Sequence, residues 1–137
     1  MTAMSDVLEN GVLDLILRSV PLSTPGITTG DVYTALFTLP TTDTMTGPFP
    51  GEVTGGGYVR VGLGSNFSVA VSGSATNSAT ATFPLATAAW GTITHFALMD
   101  ALAGGNPLFH GPLTTPKVVN AGDSFVFPVG NITISID

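Results

Sequence analysis

His95, Asp100 and His110 are the one constellation in this chain that acid–base or metal chemistry could draw on. Imidazoles titrate near neutrality and bind metals, and a carboxylate beside one fixes its tautomer. The spacing argues against both uses. His95 and Asp100 lie five residues apart in or near one strand, hence on opposite faces if that strand is regular. His110 follows a Gly-Gly-Asn turn. A metal centre needs three or four converging ligands with further groups behind them, and here the count barely reaches three without a characteristic spacing. The three are read as structural.

Other chemistries fare no better. No G-x-S-x-G elbow is present, so the many Ser and Thr residues carry no hydrolase signature. Gly55-Gly56-Gly57 and Gly62-Leu63-Gly64 match neither G-x-G-x-x-G nor a Gly-Lys-Ser/Thr phosphate loop, and they read as turns. The nine acids are scattered singly, whereas glycan cleavage needs a pair in a cleft. Absence of cysteine excludes disulfides, thiolate metal sites and thiol nucleophiles. Asn66-Phe67-Ser68 and Asn131-Ile132-Thr133 match the glycosylation pattern but follow no signal peptide. Trp90 and Tyr58 have the rings to stack on a sugar, although a lone Trp ahead of a buried strand more often belongs to a core. No catalytic, cofactor-binding or metal residue is assigned, and an enzyme is not expected.

Charge narrows the partners. Only 9% of residues are charged and the net charge is −6, with Arg18, Arg60 and Lys117 the firm cations. Three cations cannot build the stripe that replaces counterions on phosphates, so neither nucleic acid nor an anionic membrane is expected as a partner. No apolar run reaches the 18 or so residues of a membrane span. Forty-four per cent of residues are hydrophobic, which supports one packed domain over residues 1–137. A surface so poor in ions suits contact with other proteins, because few charges must be desolvated there.

The elements that position these residues are mostly strands. Residues 5–19 form the one helix candidate, with Ser5 as N-cap, Asp6 and Glu9 in the first turn, and a stripe of Leu8, Val12, Leu15 and Ile16. Pro21 and Pro25-Gly26 end it. Residues 31–39 alternate as a strand that puts Tyr33, Ala35, Phe37 and Leu39 on one face. Residues 41–57, dense in Thr, Gly and Pro, read as a long surface loop or arm, a candidate for reaching across a lattice. Residues 58–137 hold the main strands, at Tyr58–Leu63, Phe67–Val71, Thr80–Phe83, Ile93–Met99, Leu108–Phe109, Ser124–Val129 and Ile132–Ile136. Gly130-Asn131 would turn the last two into a hairpin. The expected fold is mainly β, a single β-sandwich or jelly-roll-like domain with one N-terminal helix. Arg60 is expected to pair with Glu52 or Asp100 and hold the long loop.

Several segments resemble a known family. They are Leu8-Glu9-Asn10 with Leu13-Asp14, Val32–Phe37, and Glu52-Val53 with Gly56–Val61. Closer still are Phe83-Pro84, Trp90–Phe96 with Asp100-Ala101, Gly104–Leu113, and Asn120–Asp123. Together they resemble small tailed-phage virion structural proteins, labelled as tail-fibre or capsid decoration (cement) proteins. The resemblance implies a virion component rather than an enzyme, a β-sandwich, and a homotrimer.

The leading expectation is a capsid decoration or cement protein that bridges major capsid proteins, where many modest contacts add up. A fibre normally needs repeats or a shaft, and none is seen at this length. The alternative is a tail or tail-fibre component, possibly one that binds a receptor glycan. Synthesis in the host cytoplasm and residence in the virion follow from either, with the capsid surface favoured over the tail.

Overall fold

The computed structural model describes residues 2–23 and 29–136. Along the chain run β1 (Ala3–Met4), α1 (Asp6–Arg18), β2 (Tyr33–Phe37), β3 (Val61–Gly62), β4 (Ser74–Thr76), β5 (Ala81–Thr82), β6 (Gly91–Met99), β7 (Pro107–Val119), β8 (Val126–Phe127) and β9 (Thr133–Ser135). The protein is mainly β with one helix. Alternation in β2 and β6 yields the central pairing, antiparallel from Tyr33 opposite Met99 to Phe37 opposite His95. β7 continues along β6, and β1 and β3 close the edges of a five-stranded sheet in the order β1-β7-β6-β2-β3. Two small antiparallel sheets, β4 with β9 and β5 with β8, make up the rest.

Apolar residues of the large sheet and of the small sheets meet in one core. Leu36, Ile93, Phe96 and Leu98 cluster with Phe83, Phe125, Phe127, Ile132 and Ile134. Phe83 packs edge-to-face against Phe125 at 5.8 Å, and Phe125 against Phe127 at 5.0 Å. Such ring pairs each add roughly 0.5–1.5 kcal/mol beyond the area they bury.

The opposite face of β2 and β6 is also covered. Ala35, Phe37, Ala97 and Met99 bury against Met45, with Phe49 partly buried beside them. That cover is the 41–57 segment. It packs as a second layer and is not a projecting arm. Residues 51–53 run along β2: the Thr38 N–H donates to the Gly51 carbonyl at 2.8 Å, and the Val53 N–H to the Leu36 carbonyl at 3.0 Å. Gly51 makes the reversal possible, because a side chain there would collide with Leu39 and φ is +78°.

The strand bounds depart from expectation in physical ways. Phe67–Val71 forms only isolated bridges, Phe67 to Asn77 and Val71 to Ser74, so no ladder develops. The hairpin expected across Gly130-Asn131 does not form, since β8 pairs with β5 and β9 with β4. Asn77 is the reason. Its side chain donates to the Ala79 and Pro128 carbonyls and accepts from the Ile132 N–H, all within 2.9 Å. Its own carbonyl accepts from the Gly130 N–H. One buried side chain therefore takes the groups a hairpin would have used, and Pro128 has no N–H to offer. β7 extends far past Leu108–Phe109, because its irregular stretch is absorbed as a bulge. Four residues, Leu113–Pro116, oppose the single Thr94.

Helix α1 starts as its sequence implies. The Ser5 side chain accepts from the Leu8 N–H at 3.3 Å, while its hydroxyl donates to the Pro107 carbonyl and ties the cap to β7. Leu8 and Gly11 are buried, and Leu8 packs with Leu108. The helix ends at Ser19, left-handed at φ 56°, ahead of Pro21. The Pro25-Gly26 stop signal lies outside the described residues. The first and last described segments touch: the Thr2 hydroxyl donates to the Thr133 carbonyl and accepts from the Ser135 N–H, at 3.4 and 3.3 Å.

Candidate interaction surface

The charged residues do structural work before any surface is left over. Arg60, expected to hold the long loop, does so through Glu52. Its guanidinium grips the carboxylate at both oxygens, Nε to Oε1 at 2.7 Å and Nη2 to Oε2 at 2.8 Å. Nη1 donates to the Ala101 and Gly104 carbonyls at 2.8 and 2.7 Å. The ring of Phe49 lies 5.3 Å from the guanidinium carbon. Three segments, 49–52, 58–60 and 101–104, are thereby fastened at one buried cation, whose fork geometry suits this bidentate grip. Tyr58 joins them, donating to Glu52 at 3.2 Å and accepting from the Leu36 N–H at 3.0 Å. Burial pushes the Tyr58 hydroxyl far above its usual range, against the pull of the Leu36 hydrogen bond.

Asp100 does not pair with Arg60. It caps its own turn, accepting from the Asn106 N–H at 2.6 Å and from the Asn106 side chain at 2.9 Å. His95 and His110 share a face of the large sheet, since Phe37 lies opposite His95 and Ala97 opposite His110. Neither joins Asp100 in a ligand set. Both ring nitrogens of buried His110 are engaged with the loop, Nδ1 with Thr41 at 2.9 Å and Nε2 with Asp43 at 2.8 Å. This second fastening was invisible in the sequence, because its partners lie 67 and 69 residues away. His95 Nδ1 contacts the Thr94 hydroxyl at 2.9 Å, and burial followed by the charge of His110 lowers its pKa. Among the described residues no group of three or more His, Cys, Asp or Glu is placed to hold a metal. None of their helices is long and apolar enough to cross a membrane.

Trp90 belongs to the core, as a lone Trp ahead of a buried strand more often does, and Tyr58 is partly buried against that core. The Trp90 indole N–H donates to the Gly56 carbonyl at 2.9 Å. Tyr58 stacks on Phe83 and meets Trp90 edge-on. The Gly55–Gly57 turn lies against Trp90: a side chain at Gly56 would stand 3.0 Å from the indole ring. Gly56 and Gly57 serve close backbone approach, and Gly55 supplies the turn at φ +72° with open space beside it.

What faces outward is largely neutral. With Arg60 buried, Arg18 and Lys117 are the exposed cations, and Arg18 is paired with Asp14 at 3.0 Å. Large aliphatic side chains occupy much of the remainder. The expected helix stripe divides: Leu8 and Val12 pack inward, but Leu15 and Ile16 stand exposed together with Leu13 and Leu17. Near the inner end of α1 an apolar cleft of about 240 Å³ opens between the large sheet and β9, lined by Val32, Phe67, Ala70, Leu98, Phe109 and Ile136 among others.

The exterior is largely neutral and the interior is fastened at Arg60 and His110. The model of a family described as podophage GP4 fiber I protein gp80 matches residues 3–135 of the chain. The chain belongs to this family. It is accordingly a tailed-phage virion structural protein. The match spans α1 and all the strands, so the Gp80 family assignment concerns the whole described fold. No curated protein matches the chain.

Proposed function

We propose that this Gp80-family chain is a non-enzymatic, multi-copy subunit of the phage fibre, assembled as a homotrimer and held to its neighbours through neutral surfaces. The family description supports the fibre part of this reading, and on that ground the fibre is placed ahead of capsid decoration. The exterior supports it independently. Only 9% of residues are charged, and one of the three cations is spent inside on Glu52. Neutral faces lose little on desolvation when pressed against protein.

Capsid decoration is the second reading. It is favoured by the absence, among the described residues, of any repeated or elongated shaft element. Labelled antibody fragments on intact particles separate the two, together with copy number from quantitative mass spectrometry. Labels at the tail and a low copy number support the fibre. Labels over the head in hundreds of copies would establish decoration instead. The trimer is tested by native mass of the purified protein.

A further inference from the structure

We propose that Ile16 and Leu17 of one copy seat in the apolar cleft of a neighbouring copy, joining copies head to tail. The inference rests on the multi-copy reading above and names its contact. The cleft walls carry no ionised group, and Ser74 is their only polar side chain. An occupant with donors or acceptors would bury them unpaired, at a cost of roughly 1–3 kcal/mol each. An aliphatic occupant bears no such cost.

The same chain displays that occupant. Ile16 and Leu17 are adjacent at the end of α1, 70% and 75% exposed, beside exposed Leu13 and Leu15. Four such residues on one 13-residue helix exceed the scatter expected of a surface in water.

Charge selects a second copy as the partner. At −6 each, two copies repel in general, and close approach needs faces without acids or with opposite charges. Exposed Arg18, held only by its surface pair with Asp14, directly follows Leu17, and exposed Asp31 directly precedes Val32 on the cleft wall. Seating the helix end in the cleft brings this cation and this anion together.

The area is consistent with a reversible contact. Two side chains in a cleft of about 240 Å³ make a contact smaller than the ~800 Å² each partner gives to a standard interface. Each copy offers both a helix end and a cleft, which are different surfaces. Passed from copy to copy, the contact is heterologous, used twice per copy, and closes into a ring when the rotation allows, whereas a reciprocal exchange about a two-fold axis gives a pair. A trimer is one such ring.

Sedimentation of the full chain tests this with Ile16→Ser/Leu17→Ser on the helix and Ala70→Arg in the cleft. Each variant is expected to keep the wild-type circular dichroism and to weaken self-association at least tenfold. Mixed together they should recover one-to-one pairing, because one intact helix and one intact cleft remain. The chain has no native cysteine, so Leu17→Cys/Ala70→Cys should give an oxidised ladder of linked copies on a non-reducing gel. Variants that associate like wild type, with no ladder, would overturn the contact while leaving the multi-copy reading intact. Wild-type protein that stays monomeric at high concentration would overturn the contact as well, and a virion partner other than this chain would then cover the helix.

Discussion

The 41–60 segment and the outer half of α1 exchange the roles their sequences suggest. The first is rich in Thr, Gly and Pro and reads as loose, yet it is the most heavily fastened loop described. The second belongs to an amphipathic helix with an apolar stripe, yet four of the seven aliphatic side chains of α1 face outward. Composition ranks a segment's affinity for water, whereas a few directional bonds decide whether it is held. Arg60 and His110 supply those bonds at the two ends of the loop. Beyond Val12, α1 runs past the sheet that would have covered it.

Removing the buried cation should affect the loop most. Arg60→Ala leaves two backbone carbonyls without their donor and Glu52 with Tyr58 in place of a cation, and is expected to cost about 3–5 kcal/mol in urea unfolding. A loss under about 1 kcal/mol would mean the loop is held by Met45 and Phe49 alone. His110→Ala comes next, at about 1–2 kcal/mol, because Asp43 is 56% exposed and water replaces part of what is lost. The comparison sharpens if the two variants differ in the protease sensitivity of residues 41–57, with Arg60→Ala cleaved faster.

A smaller effect follows from pH. The folded state holds the His95 pKa below its ordinary value, so the unfolded chain binds that proton more readily. Stability is then complete above about pH 6.5, the unfolded value, and falls as pH drops through it towards the folded one. Melting temperature measured down to pH 5 should decline, and His95→Gln should flatten that decline. The smallest effect belongs to the helix: Leu17→Ser in dilute protein should stay within about 0.5 kcal/mol of wild type. A large loss there would place Leu17 in its own core and erase the contrast.

Much of the fold was legible where local rules dominate. Ser5 with Asp6 and Glu9 marked the start of α1, and alternation marked β2 and β6. The Arg60–Glu52 pair was legible from scarcity, since so few counter-charges exist. What stayed hidden depended on distant partners. Asn77 reaches Ile132 across 55 residues and dissolves a hairpin that Gly130-Asn131 signals locally. β7 was cut short because Gly111, Pro112 and Pro116 look like strand breakers, while a four-residue bulge accommodates them. The stripe on α1 left open whether the helix packs on its own domain or on a neighbour, because periodicity reports a helix face and not what lies against it.

The hydroxyl of Thr2 bridging to β9 carries a practical consequence. Residues 2 and 135 are side by side, so whatever sequence precedes the first and follows the second emerges at one spot. A short linker between residues 2 and 135, with the chain opened elsewhere, is a rearrangement that positions held this close tolerate. Cargo attached at residue 2 or 135 would crowd the same corner, within reach of Ile136 and the cleft beside it.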